Sequence, residues 1–227
     1  MMRLKISREE LAKMIDSTNV KAAATKKEIE KLCKEAIKYG FRCAVVNPFY
    51  VKFAAKLLKD SDVKVCSTVG FPFGVSLPEI KALEAVKAVE DDAEELDMVI
   101  NLSALKSGDY DFVKQDIKAV LDAKRLSNET IVKVIIETAY LTKDEKILAC
   151  KLVKEAGADF VKTSTGLFGK GATIEDVKLM RQTVGKDMGV KAAGGIRTYA
   201  DAIAFIEAGA NRIGTSTATA IIKEASS

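Results

Sequence analysis

Short runs of apolar and β-branched residues alternate along the chain with longer segments whose apolar positions follow a helical period. The mean distance between the starts of consecutive runs is about 28 residues, close to the roughly 30 residues of a strand, helix and strand unit. The runs begin near Met14, Cys43, Val65, Leu96, Ile131, Phe160, Val190 and Arg212. The pattern predicts eight β-strands, each followed by an α-helix.

Several of the predicted strands are apolar nearly throughout, as in Ile131-Val-Lys-Val-Ile-Ile136. Parallel strands that are covered on both faces have this composition. Eight such strands favour a closed (β/α)8 TIM barrel, formed by residues 1–227 as a single domain with a short N-terminal helical extension. An open, doubly wound sheet is the alternative. No Gly-x-Gly-x-x-Gly follows the first run, which disfavours a dinucleotide-binding protein of that kind.

Capping residues mark the predicted helix boundaries. The spacing of a helix N-terminal cap occurs in five pairs, the last two being weaker versions: Thr25 with Glu28, Ser76 with Glu79, Thr142 with Glu145, Thr173 with Asp176 and Thr198 with Asp201. Gly40, Gly157 and Gly209 stand where three of the helices are predicted to end. These signals agree with helices between the apolar runs.

The last third of the chain contains an internal repeat. Glu155-Ala-Gly-Ala-Asp159 and the following Phe-Val-Lys-Thr-Ser-Thr-Gly match Glu207-Ala-Gly-Ala-Asn211 and the following Arg-Ile-Gly-Thr-Ser-Thr-Ala, at an offset of 52 residues. Because this offset equals about two strand and helix units, we expect the sixth and eighth strands to be copies. A common helix-to-strand turn would explain Ala-Gly-Ala, but it would not explain the shared Thr-Ser-Thr.

The most informative feature of the composition is the absence of histidine. A Ser-His-Asp triad, a Cys-His pair and a histidine-containing metal site are therefore excluded. Cationic chemistry has to come from lysine and arginine. Of the two, lysine is the one whose pKa shifts readily on burial and whose amine serves as a nucleophile.

Charge, cysteine content and hydropathy bear on partners and location. The net charge is +4, and the basic residues are interspersed with acidic ones, which argues against a nucleic-acid-binding surface. The four cysteines lack Cys-x-x-Cys spacing and lie in apolar runs, so we expect buried thiols in a cytoplasmic protein. Neither a signal peptide nor an apolar stretch of about 18 residues is found, and we expect no membrane association.

Two lysines, Lys162 and Lys191, lie inside apolar strand sequences. Burial disfavours an ammonium ion, and a second cation on an adjacent strand about 5 Å away lowers the lysine pKa further. A neutral amine of this kind can form a Schiff base with a carbonyl compound. Alternatively, one or both lysines are inward-facing barrel residues that pair with acids, as Lys133 could with Glu137 on its own strand.

Two carboxylates, Asp97 and Asp16, also lie within apolar strand sequences. A buried carboxylate must be paired or must have a shifted pKa. Because imine chemistry moves protons and no histidine is available, both aspartates are candidates for acid–base catalysis. The alternative is that each only forms an ion pair with a barrel lysine.

Glycines cluster where three neighbouring strands are predicted to end. Gly166-Leu-Phe-Gly-Lys-Gly171 follows the sixth strand, Gly194-Gly195 the seventh, and Gly214-Thr-Ser216 ends the eighth. Glycine lets backbone N–H groups approach a ligand closely, and barrels often bind phosphate after their last two strands. The sequence therefore predicts a phosphate site at this end of the barrel.

These motifs closely resemble those of the deoxyribose-phosphate aldolases, a family of class I aldolases. The resemblance runs in order from about Met14 to Ser216 and is carried by Cys43–Pro48, Glu95–Asn101, Lys133–Thr138, Val161–Gly166 and Lys191–Arg197. It implies a (β/α)8 barrel that reversibly splits 2-deoxyribose 5-phosphate into acetaldehyde and glyceraldehyde 3-phosphate, a step of deoxyribose phosphate catabolism. It also implies that no metal ion or organic cofactor is needed and that the protein is a homodimer or a higher homo-oligomer.

The resemblance further implies roles for individual residues. By motif position, Lys162 forms the Schiff base, Lys191 lowers its pKa and assists proton transfer, and Asp97 acts with a bound water as proton donor and acceptor. The implied substrate- and phosphate-binding residues are Asp16, Thr165, Gly166, Gly169, Lys170, Gly194, Gly195, Gly214 and Ser216. The chain departs from the family at two positions: Leu167 stands where some members have a polar or basic residue, and Ser17 where others have histidine.

Two other functions fit the same sequence. One is a different lysine-dependent lyase or a transaldolase that acts on sugar phosphates, which a comparison of substrates would reveal. The other is a phosphate-binding barrel without catalysis, whose lysines are structural. In that case a Lys162→Leu variant would bind its ligand as well as the parent protein does.

Overall fold

Eight parallel strands form a closed barrel in a computed structural model that describes residues 6–225. Each strand pairs with the next in chain order, and the last pairs with the first. The strands are β1 (Ile15–Asn19), β2 (Cys43–Val46), β3 (Lys64–Val69), β4 (Glu95–Val99), β5 (Ile131–Ile135), β6 (Phe160–Lys162), β7 (Gly189–Ala193) and β8 (Arg212–Thr215). The predicted (β/α)8 barrel is confirmed and the open sheet is excluded. The two ends of the predicted domain, residues 1–5 and 226–227, lie outside the described residues.

Helices surround the barrel and connect its strands. They are α1 (Arg8–Lys13), α2 (Lys26–Tyr39), α3 (Val51–Leu58), α4 (Pro78–Glu90), α5 (Leu102–Lys106), α6 (Tyr110–Leu121), α7 (Lys143–Ala156), α8 (Ile174–Val184), α9 (Tyr199–Glu207) and α10 (Ala218–Glu224). The first of them precedes β1. Among the helices of the described residues, none is both long and apolar enough to cross a membrane.

The predicted strand starts agree with the observed ones to within one residue. Three of the four differences arise where the strand begins with a residue that is not apolar, namely Lys64, Glu95 and Gly189, and the fourth is β1, which begins at Ile15, one residue after Met14. Ladder hydrogen bonds use backbone groups, so a strand can start before its apolar run does. The spacing of the apolar runs was therefore a sound guide to the barrel.

Four of the five predicted helix caps are formed. Thr25, Thr142, Thr173 and Thr198 each accept a hydrogen bond from the third residue of their helix, and Gly40 and Gly157 end α2 and α7 in the left-handed conformation. The prediction for Ser76 is wrong. Helix α4 has Pro78 at its first position and Leu77 as its cap, with no side-chain cap bond. Proline fixes the helical φ there and has no N–H that needs a partner.

The sequence repeat corresponds to a repeated structure. Asp159 Oδ2 accepts a hydrogen bond from Val132 N at 2.8 Å, and the equivalent Asn211 Oδ1 accepts one from Val190 N at 3.0 Å. Each side chain thus links its own strand to the start of the preceding strand. The match of the two segments reflects a shared way of joining neighbouring strands.

The alternation of side chains along each strand separates two environments. Outward-facing residues such as Leu96, Met98, Val132 and Val134 pack with the helices in the main hydrophobic core. The alternate positions face the barrel interior, where several of the side chains are charged and fully buried. Charges are therefore concentrated inside the barrel, beneath the carboxyl ends of the strands.

Candidate active site

The two strand lysines meet at a single carboxylate inside the barrel. Lys162 on β6 and Lys191 on β7 are direct partners in the parallel register. Asp97 on β4 accepts hydrogen bonds from both at the same oxygen, Oδ2, at 2.6 Å from Lys162 Nζ and 2.7 Å from Lys191 Nζ. All three side chains are buried. The structure thus brings together the three residues to which the sequence motifs assign catalysis.

Further ion pairs extend from this centre through the barrel interior. Lys133 Nζ lies 2.8 Å from Asp97 Oδ1 and 2.7 Å from Glu95 Oε2. Lys191 Nζ also lies 2.5 Å from Asp16, and Arg212 bridges Asp16 at 2.7 Å and Glu95 at 3.0 Å. We call this set the buried ion cluster; it consists of Asp16, Glu95, Asp97, Lys133, Lys191 and Arg212. The possible pairing of Lys133 with Glu137 is not formed.

The charges of the buried ion cluster disfavour a proton on Lys162 and so favour the neutral amine. The cluster holds three carboxylates and three cations, so it is balanced without Lys162. Arg42 also contacts Glu95 at 3.2 Å, although its side chain is 36% exposed and partly hydrated. A proton on Lys162 would therefore add an uncompensated positive charge in a buried place.

The pKa directions agree with this balance. Burial lowers the pKa of Lys162, and the Lys191 ammonium lowers it further, against the opposing effect of Asp97. Burial also acts to lower the pKa of Lys191, but Asp16 and Asp97 outweigh it and raise that pKa above its usual value. The pKa values of the two neighbouring lysines are thus shifted in opposite directions, which favours the amine at Lys162 and the ammonium ion at Lys191.

The carboxylates of the cluster are held in their ionised forms. Burial acts to raise the pKa of Asp97, but the charges of Lys133 and Lys191 hold it well below its usual range. Asp16 behaves in the same way, since Lys191 and Arg212 overcome the effect of its burial. Neither acid keeps a proton at neutral pH, and a proton that reaches Asp97 passes on to a stronger base.

One group of side chains has the composition of a metal site. Asp16, Cys43 and Glu95 bring a ligand atom each within 4.8 Å of one another. The guanidinium of Arg212 lies among them, with Nη1 2.7 Å from Asp16, 3.0 Å from Glu95 and 3.5 Å from Cys43 Sγ. A protein cation therefore occupies the position that a metal ion would take.

An open cleft of about 380 Å³ leads from solvent to Lys162. Its walls include Thr18, Lys31, Thr165, Gly166, Leu167, Gly194, Gly195, Arg197, Gly214 and Ser216. Gly171 has a φ of +72°, and a Cβ there would lie 2.4 Å from Gly194 O, so the turns after β6 and β7 pack backbone against backbone. Within residues 6–225, no protein acceptor takes the backbone N–H groups of Gly195 and Ser216. Free N–H groups in a concave wall suit a phosphate or another anion.

The predicted substrate- and phosphate-binding residues fall into two groups. Thr165, Gly166, Gly194, Gly195, Gly214 and Ser216 line the cleft. Three others lie outside its lining. Asp16 belongs to the buried ion cluster below, Gly169 packs against Ala139, and Lys170 is exposed on the turn after β6. The three catalytic candidates and the glycine turns therefore form one continuous site.

Sequence reasoning missed several charged residues of this site. Glu95 and Arg212 were given no role, and Lys133 was expected to pair only with Glu137, yet these three residues provide half of the buried ion cluster. A signal was present, because Glu95 and Asp97 are two positions apart on one strand and so face the same side. Arg197 was also missed, and it lines the outer part of the cleft.

A buried lysine with a lowered pKa, at the base of an open cleft on a (β/α)8 barrel, is the arrangement of an enzyme that forms an imine with a carbonyl substrate. The fold and the site thus define a class of enzymes that make or break carbon–carbon bonds beside a carbonyl group.

Comparison with known proteins places the chain within this class. The sequence profile of the DeoC/LacD family of aldolases matches residues 10–224. Deoxyribose-phosphate aldolase from Thermococcus gammatolerans is 61% identical over 218 residues, 95% of this chain and 96% of the relative. The enzyme of the same name from Methanothermobacter thermautotrophicus is 60% identical over 218 residues, 96% of each chain. The tetrameric deoxyribose phosphate aldolase structure from Aeropyrum pernix is 38% identical, with a TM-score of 0.89 over 96% of this chain and 91% of that one. This chain belongs to the DeoC/LacD family of aldolases, and the resemblance seen in its motifs is confirmed.

Proposed function

We propose that this enzyme reversibly cleaves 2-deoxy-D-ribose 5-phosphate to acetaldehyde and D-glyceraldehyde 3-phosphate through an imine on Lys162. The observation that carries the proposal is the buried Lys162, with its pKa lowered by burial, at the base of a cleft whose outer wall is glycine backbone. The names of the relatives at about 60% identity support the same substrate.

The reaction begins when the Lys162 amine attacks C1, the aldehyde carbon. Loss of water gives an iminium ion, which withdraws electrons from the neighbouring carbon. A base then removes the proton of the C3 hydroxyl, and the C2–C3 bond breaks. Its electron pair forms an enamine on Lys162, while C3 becomes the aldehyde carbon of glyceraldehyde 3-phosphate. Protonation of C2 and hydrolysis of the iminium release acetaldehyde and restore the amine.

Proton transfer falls to Asp97, Lys191 and a water molecule. Asp97 Oδ2 contacts Lys162 Nζ and Lys191 Nζ, and through the water it would receive a proton from the substrate. Because the pKa of Asp97 is held low, the proton does not stay there. Lys191, whose pKa is raised, is protonated, and its proton can be transferred to C2 through the water. The route uses neither a metal ion nor an organic cofactor.

The phosphate group would bind at the glycine turns after β6, β7 and β8. The N–H groups of Gly195 and Ser216 are available there, and Arg197 adds a positive charge at the cleft wall. These residues lie apart from the reacting carbon atoms. Binding energy gained at this end positions C1 against Lys162 and so contributes to the rate.

Covalent trapping tests the proposal. Incubation with acetaldehyde and borohydride should reduce the imine and leave an ethyl group on the Lys162 peptide, and a Lys162→Met variant should give no labelled active-site peptide. An active enzyme without modification at Lys162 would overturn the mechanism. Cleavage rates on deoxyribose 5-phosphate, fructose phosphates and sedoheptulose phosphate then test the substrate, and a clear preference for a ketose would reject it.

We also propose a cytoplasmic homo-oligomer. The Aeropyrum pernix relative is described as a tetramer. In this chain, large apolar side chains are exposed on α4 and the loop before it, namely Phe73, Val75, Leu77, Ile80 and Leu83. Such a patch is typical of surfaces that bind another protein. Light scattering during size-exclusion chromatography should give a mass of at least twice 24.5 kDa, and a monomer would contradict this.

A further inference from the structure

Glu137 is a buried acid beside the active site that the reaction scheme does not use. It follows β5 directly and has a φ of +48° and a ψ of +70°. Residues with a Cβ rarely adopt this left-handed conformation, and such strain often accompanies a functional constraint. The side chain is fully buried. The fold therefore holds a carboxylate in an unfavourable backbone conformation next to Lys162.

The carboxylate binds the turn that follows β6. Glu137 Oε2 accepts two hydrogen bonds from one residue, at 2.9 Å from Thr165 N and 2.5 Å from Thr165 Oγ1. Thr165 Oγ1 in turn accepts a bond from Leu167 N at 3.2 Å. Glu137 Oε1 is buried and makes no hydrogen bond within the described residues. The Glu137 side chain thus joins the end of β5 to the turn after β6, beyond the backbone bond from Thr138 N to Thr163 O at 2.9 Å.

This turn forms one wall of the phosphate end of the cleft. Thr165, Gly166 and Leu167 all line it, and a Cβ on Gly166 would lie 3.4 Å from Gly194 Cα on the opposite turn. A shift of Thr165 would therefore change the distance between the two glycine turns. Both turns stand above Lys162, so the shift would also change how a bound phosphate places the carbonyl carbon.

The same hydrogen bonds bear on the role of Thr165. A threonine hydroxyl has one hydrogen to donate. Here that hydrogen goes to Glu137 Oε2, and the backbone N–H of Thr165 goes to the same oxygen. While these bonds are made, neither donor of Thr165 is free for a phosphate. Thr165 lies at the cleft but is engaged with the protein.

We propose that Glu137 is a positioning residue that fixes the turn from Thr165 to Leu167, and with it the phosphate end of the cleft, relative to Lys162. Thr165 transmits this effect by binding Glu137. The proposal rests on the proposed function, because it assigns the phosphate group of the substrate to that end. Burial raises the pKa of Glu137, while the bonds from Thr165 and the nearby Lys162 oppose the shift. Positioning requires the two accepted hydrogen bonds and does not require a charge.

The experiment compares Glu137→Ala with Glu137→Gln, whose amide oxygen can accept the same two bonds. For Glu137→Ala we expect KM for deoxyribose 5-phosphate and the inhibition constant of inorganic phosphate to rise by about tenfold to a hundredfold. Borohydride trapping of acetaldehyde, which has no phosphate, should stay within about twofold of the parent enzyme. Glu137→Gln should restore both phosphate-dependent values.

Thr165→Val supplies an independent arm, since it removes the hydroxyl and leaves Glu137 in place. It should weaken phosphate inhibition in the same direction as Glu137→Ala. The double variant should be little worse than Glu137→Ala alone, because both changes remove one interaction. If Glu137→Ala does not fold, Thr165→Val is compared with Thr165→Ser instead. Thr165→Ser keeps the hydroxyl and should be inhibited by phosphate as strongly as the parent enzyme.

Three results would overturn the proposal: folded variants with unchanged phosphate inhibition, a Glu137→Gln variant as impaired as Glu137→Ala, or additive effects in the double variant. Failure of the proposed function would give a different result: the parent enzyme would bind phosphate, but borohydride trapping with acetaldehyde would leave Lys162 unmodified. Inorganic phosphate binding still tests Glu137 in that case.

Discussion

Replacing Lys191 by methionine should raise the pKa of Lys162 and so increase the fraction of ammonium ion at neutral pH. The substitution removes one cation from the buried ion cluster and leaves its three carboxylates in place. Asp16 keeps Arg212 as a partner, and Asp97 keeps Lys133, so neither acid loses all of its ion pairs. The charge of the cluster is then balanced only when Lys162 carries a proton.

The size of the effect follows from the shared carboxylate oxygen. Lys162 Nζ and Lys191 Nζ lie 2.6 and 2.7 Å from Asp97 Oδ2, so they are no more than about 5 Å apart, and like charges at that distance repel by about 3 kcal/mol at an effective dielectric constant of about 20. At about 1.4 kcal/mol per pH unit, the pKa of Lys162 should rise by about two units. Each unit below the pKa lowers the amine fraction about tenfold, so the rate on the acid limb should fall by about a hundredfold.

The assay is the pH profile of kcat/KM, together with the pH dependence of borohydride trapping by acetaldehyde. The acid limb reports the loss of the Lys162 amine as pH falls, so a higher pKa moves that limb to higher pH. Lys178→Met, which removes an exposed lysine on α8, is the matched control and should leave the limb in place. A folded Lys191→Met enzyme whose acid limb stays within about half a unit of the parent, or moves to lower pH, would refute the charge-balance argument.

Three further predictions concern a helix cap, the phosphate site and the cysteines. Thr25→Ala removes the cap of α2 and should cost about 1 kcal/mol in the free energy of unfolding, measured with guanidinium, with kcat unchanged; an unaltered midpoint would contradict the capping role. Gly195→Asp should weaken phosphate inhibition far more than Gly195→Asn, because the two differ only in charge, and equal effects would place the phosphate elsewhere. The four cysteines are buried, and burial raises the pKa of Cys66 to about 12. The native protein should therefore not react with a disulfide reagent at pH 8, whereas the unfolded protein should react at four cysteines. Rapid labelling of the native protein would contradict that burial.

The strands and most helix ends could be predicted because their signals are local. An apolar run such as Ile131–Ile136, a threonine cap such as Thr25 and a glycine such as Gly40 each act within a few residues of the chain. The error at Ser76 arose because two start signals compete there, and Pro78 sets the first helical position. Local patterns therefore give the barrel but not every boundary.

The site could be predicted only in part, because its electrostatics depend on the register between strands that are far apart in the sequence. The motifs indicated Lys162, Lys191 and Asp97. The contact of Lys133 with Glu95 and Asp97 depends on the register of β4 against β5. The bridge made by Arg212 depends on closure of the barrel between β8 and β1, which no local pattern specifies.

The buried ion cluster also restricts how this barrel can change through evolution. Loss of one partner of a buried ion pair costs about 3–5 kcal/mol, a large part of the roughly 5–15 kcal/mol that keeps a typical domain folded. A lineage that exchanges Asp16 or Arg212 singly must pass through a protein near its folding threshold. Such exchanges are therefore expected to occur as compensating pairs on different strands, whereas residues of the cleft rim, such as Leu167, can vary one at a time.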